Sequence, residues 1–196
     1  MMRLGFLRNQ LPVLLAILVV LGARSSLADH YVVPSGSMEF TLLPGDRVLV
    51  DKTAYGLRLP FTDIELRAGD RPGRGEIVIF DSPADGTRLI KRIVAVGGDR
   101  VSLEAGRLSV NGVRSFDPQE AVEHFGPRRA RLNLDFGGGP DIAETVVPAG
   151  HVLAIGDARG NSLDSRFFGF VAERDIFAGA VRVYFRRGRG LLWLPL

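Results

Sequence analysis

The run LPVLLAILVVLGA, from Leu11 to Ala23, constrains this chain more than any other feature. It carries no charge and is bounded by Arg8-Asn9-Gln10 and by Arg24. A spanning helix needs ~20 apolar residues to cross a hydrocarbon core ~30 Å thick, so the run is short by itself. Leu4, Phe6 and Leu7 before it and Ser25 to Ala28 after it can extend it, with Arg8 and Arg24 snorkelling to the headgroups. A cleaved secretion signal fits equally well: basic Arg3 and Arg8, an apolar core, and the small pair Ser26 and Ala28. On this segment the two readings stand level. Both put the rest of the chain across a membrane, outside the cytoplasm, and Arg3 and Arg8 favour an inside N-terminus.

The full chain has 196 residues, enough for one domain or one core with an insertion, and its 46% hydrophobic content is that of a folded protein. There is no cysteine, which excludes disulfides, thiolate metal sites and a cysteine nucleophile. His30, His124 and His151 are far apart and form no HExxH pattern, so no metal is expected. The mildly basic tail YFRRGRG lacks interleaved aromatics and any nucleic-acid motif, so nucleic acid is not an expected partner. Of 25 basic residues, only Lys52 and Lys91 are lysine. Arginine stays protonated, whereas a desolvated lysine can become a neutral amine near pH 7.

After Asp29 the sequence reads as strands. RVLVDK and EIVIFDS are short β-branched runs, and RLIKRIVAV ends at the turn Gly97-Gly98-Asp99. RVSLEAGRLSVNGV reads as consecutive strands joined at Ala105-Gly106 and Asn111-Gly112, and HVLAIGD and GAVRVYF supply late strands. Between about Arg114 and Pro148 the pattern weakens into proline, glycine and charge, as an insertion would. The fold class expected is mainly β, an antiparallel sheet behind a membrane-tethered N-terminus.

Three stretches can carry chemistry. The bend VVPSGSMEFTLLPGD holds Ser35, Ser37 and Met38, where a serine is ordinarily a turn residue. A nucleophilic serine needs a base, but GxSxG is absent and no histidine is suitably placed. Lys91 in LIKRIVAV would share a strand face with Leu89 and Ile93, and apolar surroundings lower an ammonium pKa. An ordinary edge lysine is the competing reading. GDARGNSLDSRFFGFV is dense in small and polar residues, and Asp164 and Arg166 could pair there.

Together, PSGSMEFTLLPGD, IKRIVAVGGD and GDARGNSLDSRFFGFV, in this order behind an apolar N-terminus, resemble the type I signal peptidases, membrane-bound Ser-Lys proteases. The resemblance implies Ser37 as nucleophile and Lys91 as general base, with Ser35 and the Ser37 N–H forming the oxyanion hole. It implies Ser162 as the residue orienting the lysine, Asp164 and Arg166 as a supporting ion pair, and Met38 beside the substrate groove and membrane. It tips the N-terminus toward a retained anchor over 1–28, with a catalytic β domain over 29–99 and 149–196 and an inserted subdomain over 100–148. It further implies a single-pass inner-membrane enzyme with a cytoplasmic N-terminus. Its partners would be preprotein signal peptides and the bilayer, cut after small residues on the outer side, with no cofactor. The chain departs from the family pattern at Phe40, where proline is usual, and at Ala158 and Gly160, commonly Asn and Asp. Lys52 has no assigned role. At the level of sequence, a conjugation-linked Ser-Lys processing protease and a non-catalytic tethered β module stay open.

Overall fold

The computed structural model describes residues 10, 12–14, 16–17, 27–58 and 65–196. Most of the anchor expected over 1–28 therefore lies outside the described residues. Among those described, no helix is long and apolar enough to cross a membrane.

The main sheet has eight strands. In chain order they are β1 (Ala28–Val32), β2 (Arg47–Asp51), β5 (Ile77–Asp81), β6 (Arg88–Val96), β14 (His151–Ile155), β15 (Val171–Ala172), β16 (Ile176–Arg186) and β17 (Gly190–Pro195). Their spatial order is β1-β2-β16-β5-β6-β14-β15, with β17 on β16. Every pairing is antiparallel. The expected strand RLIKRIVAV is β6 to the residue. β5 is buried along four consecutive residues, Ile77 to Phe80, because both faces of the sheet are covered there.

Smaller sheets hang on this frame. β7 (Arg100–Glu104), β8 (Arg107–Val110), β9 (Val113–Arg114) and β13 (Ile142–Val146) form a four-stranded sheet. Its turns are those read from Ala105-Gly106 and Asn111-Gly112. All four residues have positive φ, 47° and 77° then 52° and 78°, as a two-residue hairpin turn matched to strand twist demands. β10 (Phe116–Asp117), β11 (Val122–Phe125) and β12 (Arg128–Arg131) form a three-stranded sheet, and β3 (Gly56–Arg58) pairs with β4 (Glu65–Ala68).

The stretch that reads as loop between Arg114 and Pro148 thus contains strands. They run for two to five residues, too short for alternation to register in sequence. Segment 100–148 also shares core with the main sheet: Val101, Leu108, Phe125 and Ala130 pack in one cluster with Val94, Ala95, Leu153 and Ile155.

Candidate active site

Ser37 lies in a single 3-10 turn, Gly36–Met38, where first-turn N–H groups have no helical acceptor. Ser35 occupies the cap position before it, but its side chain makes no cap hydrogen bond. Its hydroxyl instead stands 3.4 Å from Ser37 Oγ. The bend is pinned from several sides. The Ser37 carbonyl accepts from the Ala158 N–H at 3.1 Å, and the Met38 carbonyl accepts from Leu42 N–H at 2.9 Å. Fully buried Asp46 accepts from the Leu43 N–H and from the Arg186 guanidinium on β16 at 2.6 Å.

Lys91 lies mid-β6, paired across to Val78, with Leu89 paired to Phe80. Direct partners share a sheet face, so the amine emerges among Val78, Phe80, Leu89 and Ile93, as the alternation predicts. The residue is 3% exposed, and its Nζ stands 2.7 Å from Oγ of Ser37, itself 6% exposed. Burial lowers the Lys91 pKa from 10.5 to about 8. The carboxylates of Asp164 and Asp157 oppose that shift, and Arg166 adds to it. An amine so placed holds a sizeable neutral fraction near neutral pH. Its lone pair can then accept the proton of the serine hydroxyl.

The loop from Gly156 to Arg166 closes the site. Asp164 caps the short helix Ser165–Phe168 and accepts from Arg166 Nε and Nη2, both at 2.8 Å, and from the Gly156 N–H at 3.0 Å. Burial alone would raise the Asp164 carboxyl. The Arg166 guanidinium and the Gly156 N–H outweigh it and hold the carboxyl below its ordinary value. Asp157 takes both arms of Arg92 at 2.9 and 2.7 Å, and the Thr41 hydroxyl donates to it at 2.5 Å. Arg92 points away from Lys91 along the strand, as alternation requires.

Side-chain space here is closed. A Cβ on Gly156 would overlap Ser162 Oγ and the Ser37 carbonyl oxygen, and one on Gly160 would overlap the Phe136 carbonyl. A glycine at 160 is therefore what this backbone admits. Ala158 is fully buried and bridges Asn133. Phe40 lies under the Arg131 guanidinium, 4.7 Å from ring centroid to carbon.

The chain belongs to the signal peptidase family, peptidase S26. That family's sequence model matches residues 7–185. The chain is 35% identical to signal peptidase I of Pseudomonas aeruginosa, over 88% of this chain and 69% of that protein. It is 30% identical to signal peptidase I of Haemophilus influenzae, over 91% and 68%. Against signal peptidase I of Aquifex aeolicus it is 30% identical over 87% and 81%. Peptidase S26 is a family of serine peptidases, membrane-associated and acting on preproteins.

The structure brings Ser35, Ser37 and Lys91 together, and Asp164 pairs with Arg166. Ser162 Oγ is buried beside Gly156 and makes no hydrogen bond, so the expected bond to the lysine is not formed here. Met38 needs a correction. It has 0% exposure and packs with Val33, Leu42, Val50 and Ile79, so it cannot touch a bilayer. Lys52 pairs with Asp29 at 3.2 Å. Reading the sequence misses Thr41, Arg92, Asp157, Arg159, Glu123 and Asn133. Asp157 and Arg159 lie inside a recognised motif, but their partners are 65 and 36 residues away, beyond any local signal.

Proposed function

We propose that this chain is an endopeptidase that removes N-terminal signal peptides from exported preproteins, cutting after small residues at the outer membrane surface. The observation that carries this reading is the 2.7 Å approach of a buried, pKa-lowered Lys91 amine to Ser37 Oγ in a member of peptidase S26.

Neutral Lys91 takes the Ser37 proton as Oγ attacks the scissile carbonyl. The Ser37 N–H and the Ser35 hydroxyl face the developing oxyanion, a donor pair of which one member is typically worth ~3 kcal/mol. The Lys91 ammonium then protonates the leaving amine, and the acyl group remains on Ser37. The amine, neutral again, activates the water that releases it. Asp164 and Arg166 brace the loop beside the lysine, and Ser162 supplies a hydroxyl close enough to orient it once substrate reshapes the loop.

The enzyme works as a single-pass protein of the inner membrane, its N-terminus in the cytoplasm and residues 27–196 outside. Bilayer contact is supported at the C-terminal hairpin. There Ala28, His30, Leu49, Tyr184, Leu191 and Trp193 line an apolar groove of about 620 Å³. Leu191 is 84% and Trp193 60% exposed.

The test is cleavage of a purified preprotein in detergent micelles by wild type, Ser37→Ala and Lys91→Arg, with the new N-terminus sequenced. Wild type should cut after a small residue, and each variant should lose about 10³-fold or more in kcat. Full activity in Lys91→Arg would rule out the proposed base.

A further inference from the structure

We infer that Glu123 is a positioning residue for Ser37: through Arg159 it fixes the backbone that holds the nucleophile. Segment 100–148 thereby acts on the chemistry while supplying neither group of the dyad. The inference rests on the Ser37–Lys91 reading above.

Glu123, on β11, has no exposed surface, and neither does its partner's side chain. A lone buried carboxylate is costly, so its partners define what it is for. Oε1 accepts from the Leu108 N–H at 3.0 Å and from Arg159 Nη1 at 3.2 Å, and Oε2 accepts from Arg159 Nη2 at 2.5 Å. Arg159 directs its other donations at two carbonyls, Gly106 at 2.6 Å and Gly156 at 3.1 Å. The planar guanidinium therefore ties β11 and the β7–β8 turn to the start of the late loop. Two residues past Gly156, the Ala158 N–H grips the Ser37 carbonyl at 3.1 Å. Each link from Glu123 to the nucleophile is a hydrogen bond or a stretch of one or two peptide units.

A second tie runs through Asn133. Its N–H donates to the Asp157 carbonyl and its carbonyl accepts from the Arg159 N–H, both at 3.0 Å. Its Nδ2 donates at 3.4 Å to Glu39, two residues beyond Ser37. The same segment thus holds the late loop and the serine bend in one register. Stability alone is a poor reason for a buried ion pair, since apolar replacements of such pairs are often neutral or better. Fixing two loops to within a fraction of an ångström is a better one.

The test uses the full chain in micelles, with Glu123→Gln and Arg159→Lys. Ser37 acylation by a β-lactam probe, whose ring carbonyl it opens, is followed by mass spectrometry well below the melting midpoints and scaled to the folded fraction. Preprotein kcat and KM are measured alongside. Acylation rate and kcat should fall about 10- to 100-fold with KM nearly unchanged. If Glu123→Gln does not fold, Arg159→Lys decides, since it keeps the charge pair but cannot reach both carbonyls. Wild-type acylation rates per folded molecule in the variants would overturn the positioning role and leave the dyad standing. No Ser37 acylation in wild type, or equal acylation in Lys91→Arg, would overturn the dyad and this inference with it.

Discussion

Lys91 is held at a thermodynamic disadvantage, and the sign of that disadvantage is measurable. Its folded pKa of about 8 lies below the ordinary 10.5, so between these values the unfolded chain binds more protons than the folded one. The penalty for burying the amine is full below pH 8 and fades as pH rises toward 10.5. Lys91→Met, similar in length and apolar, should therefore be inactive yet more stable at pH 7, by about 3 kcal/mol at most. Denaturation in micelles should show that gain shrinking by pH 10. A loss of stability at pH 7 would mean that the Ser37 contact outweighs desolvation. In the active protein, kcat/KM should rise with pH through a limb near 8 as the amine becomes neutral. A flat profile from pH 6 to 9 would place the base elsewhere.

The loop from Gly156 to Arg166 is built from charges that leave one another no freedom. Asp157 is fixed by Arg92, Arg159 by Glu123, and Asp164 by Arg166, each pair buried. Where side chains do not fill the loop, backbone does. The Phe136 carbonyl occupies the space that a side chain at residue 160 would need. Gly160→Asp restores the residue common in the family, yet in this backbone it should destabilise by about 1–3 kcal/mol through overpacking. Chemical denaturation measures this directly. A stable variant of higher activity would show that the 134–139 turn yields. Phe40 follows similar logic: where the family usually has proline, the ring is covered by Arg131 from segment 100–148. The departures from the family pattern are thus met by contacts from one neighbouring segment.

At the scale of the whole molecule, the long strand β16 pairs with β5 and β2, and with β17 at its far end. The resulting edge carries the chain's sole tryptophan, Trp193, with the Arg182 guanidinium 5.3 Å from its ring. Tryptophan and arginine side by side suit the headgroup layer, where an amphipathic ring and a cation both find partners. The groove they border opens at Ala28, five residues beyond the apolar run that ends at Ala23. Because Trp193 is unique, its fluorescence reports on this face alone. Reconstitution into vesicles should shift its emission to the blue, and lipids carrying a shallow quencher should quench it. A water-like emission, insensitive to those lipids, would mean that this edge faces away from the bilayer.

The sequence by itself determined what depends on neighbours along the chain. Alternation gave β6 its limits and aimed Lys91 at an apolar face, and Ala105-Gly106 and Asn111-Gly112 specified hairpins through their positive φ. Motif order tied Ser37, Lys91 and the late loop to one family. Only the tertiary structure decided what depends on residues far apart. Met38, expected at the membrane, is core because β2, β5 and β16 enclose it. The strands of segment 100–148 were too short for periodicity to show. Glu123 and Asn133 looked like ordinary polar residues, because a buried pairing 36 residues long leaves no mark on local composition. Local backbone physics is written in adjacent residues, whereas the partner of a buried charge is chosen by the packing of the whole fold.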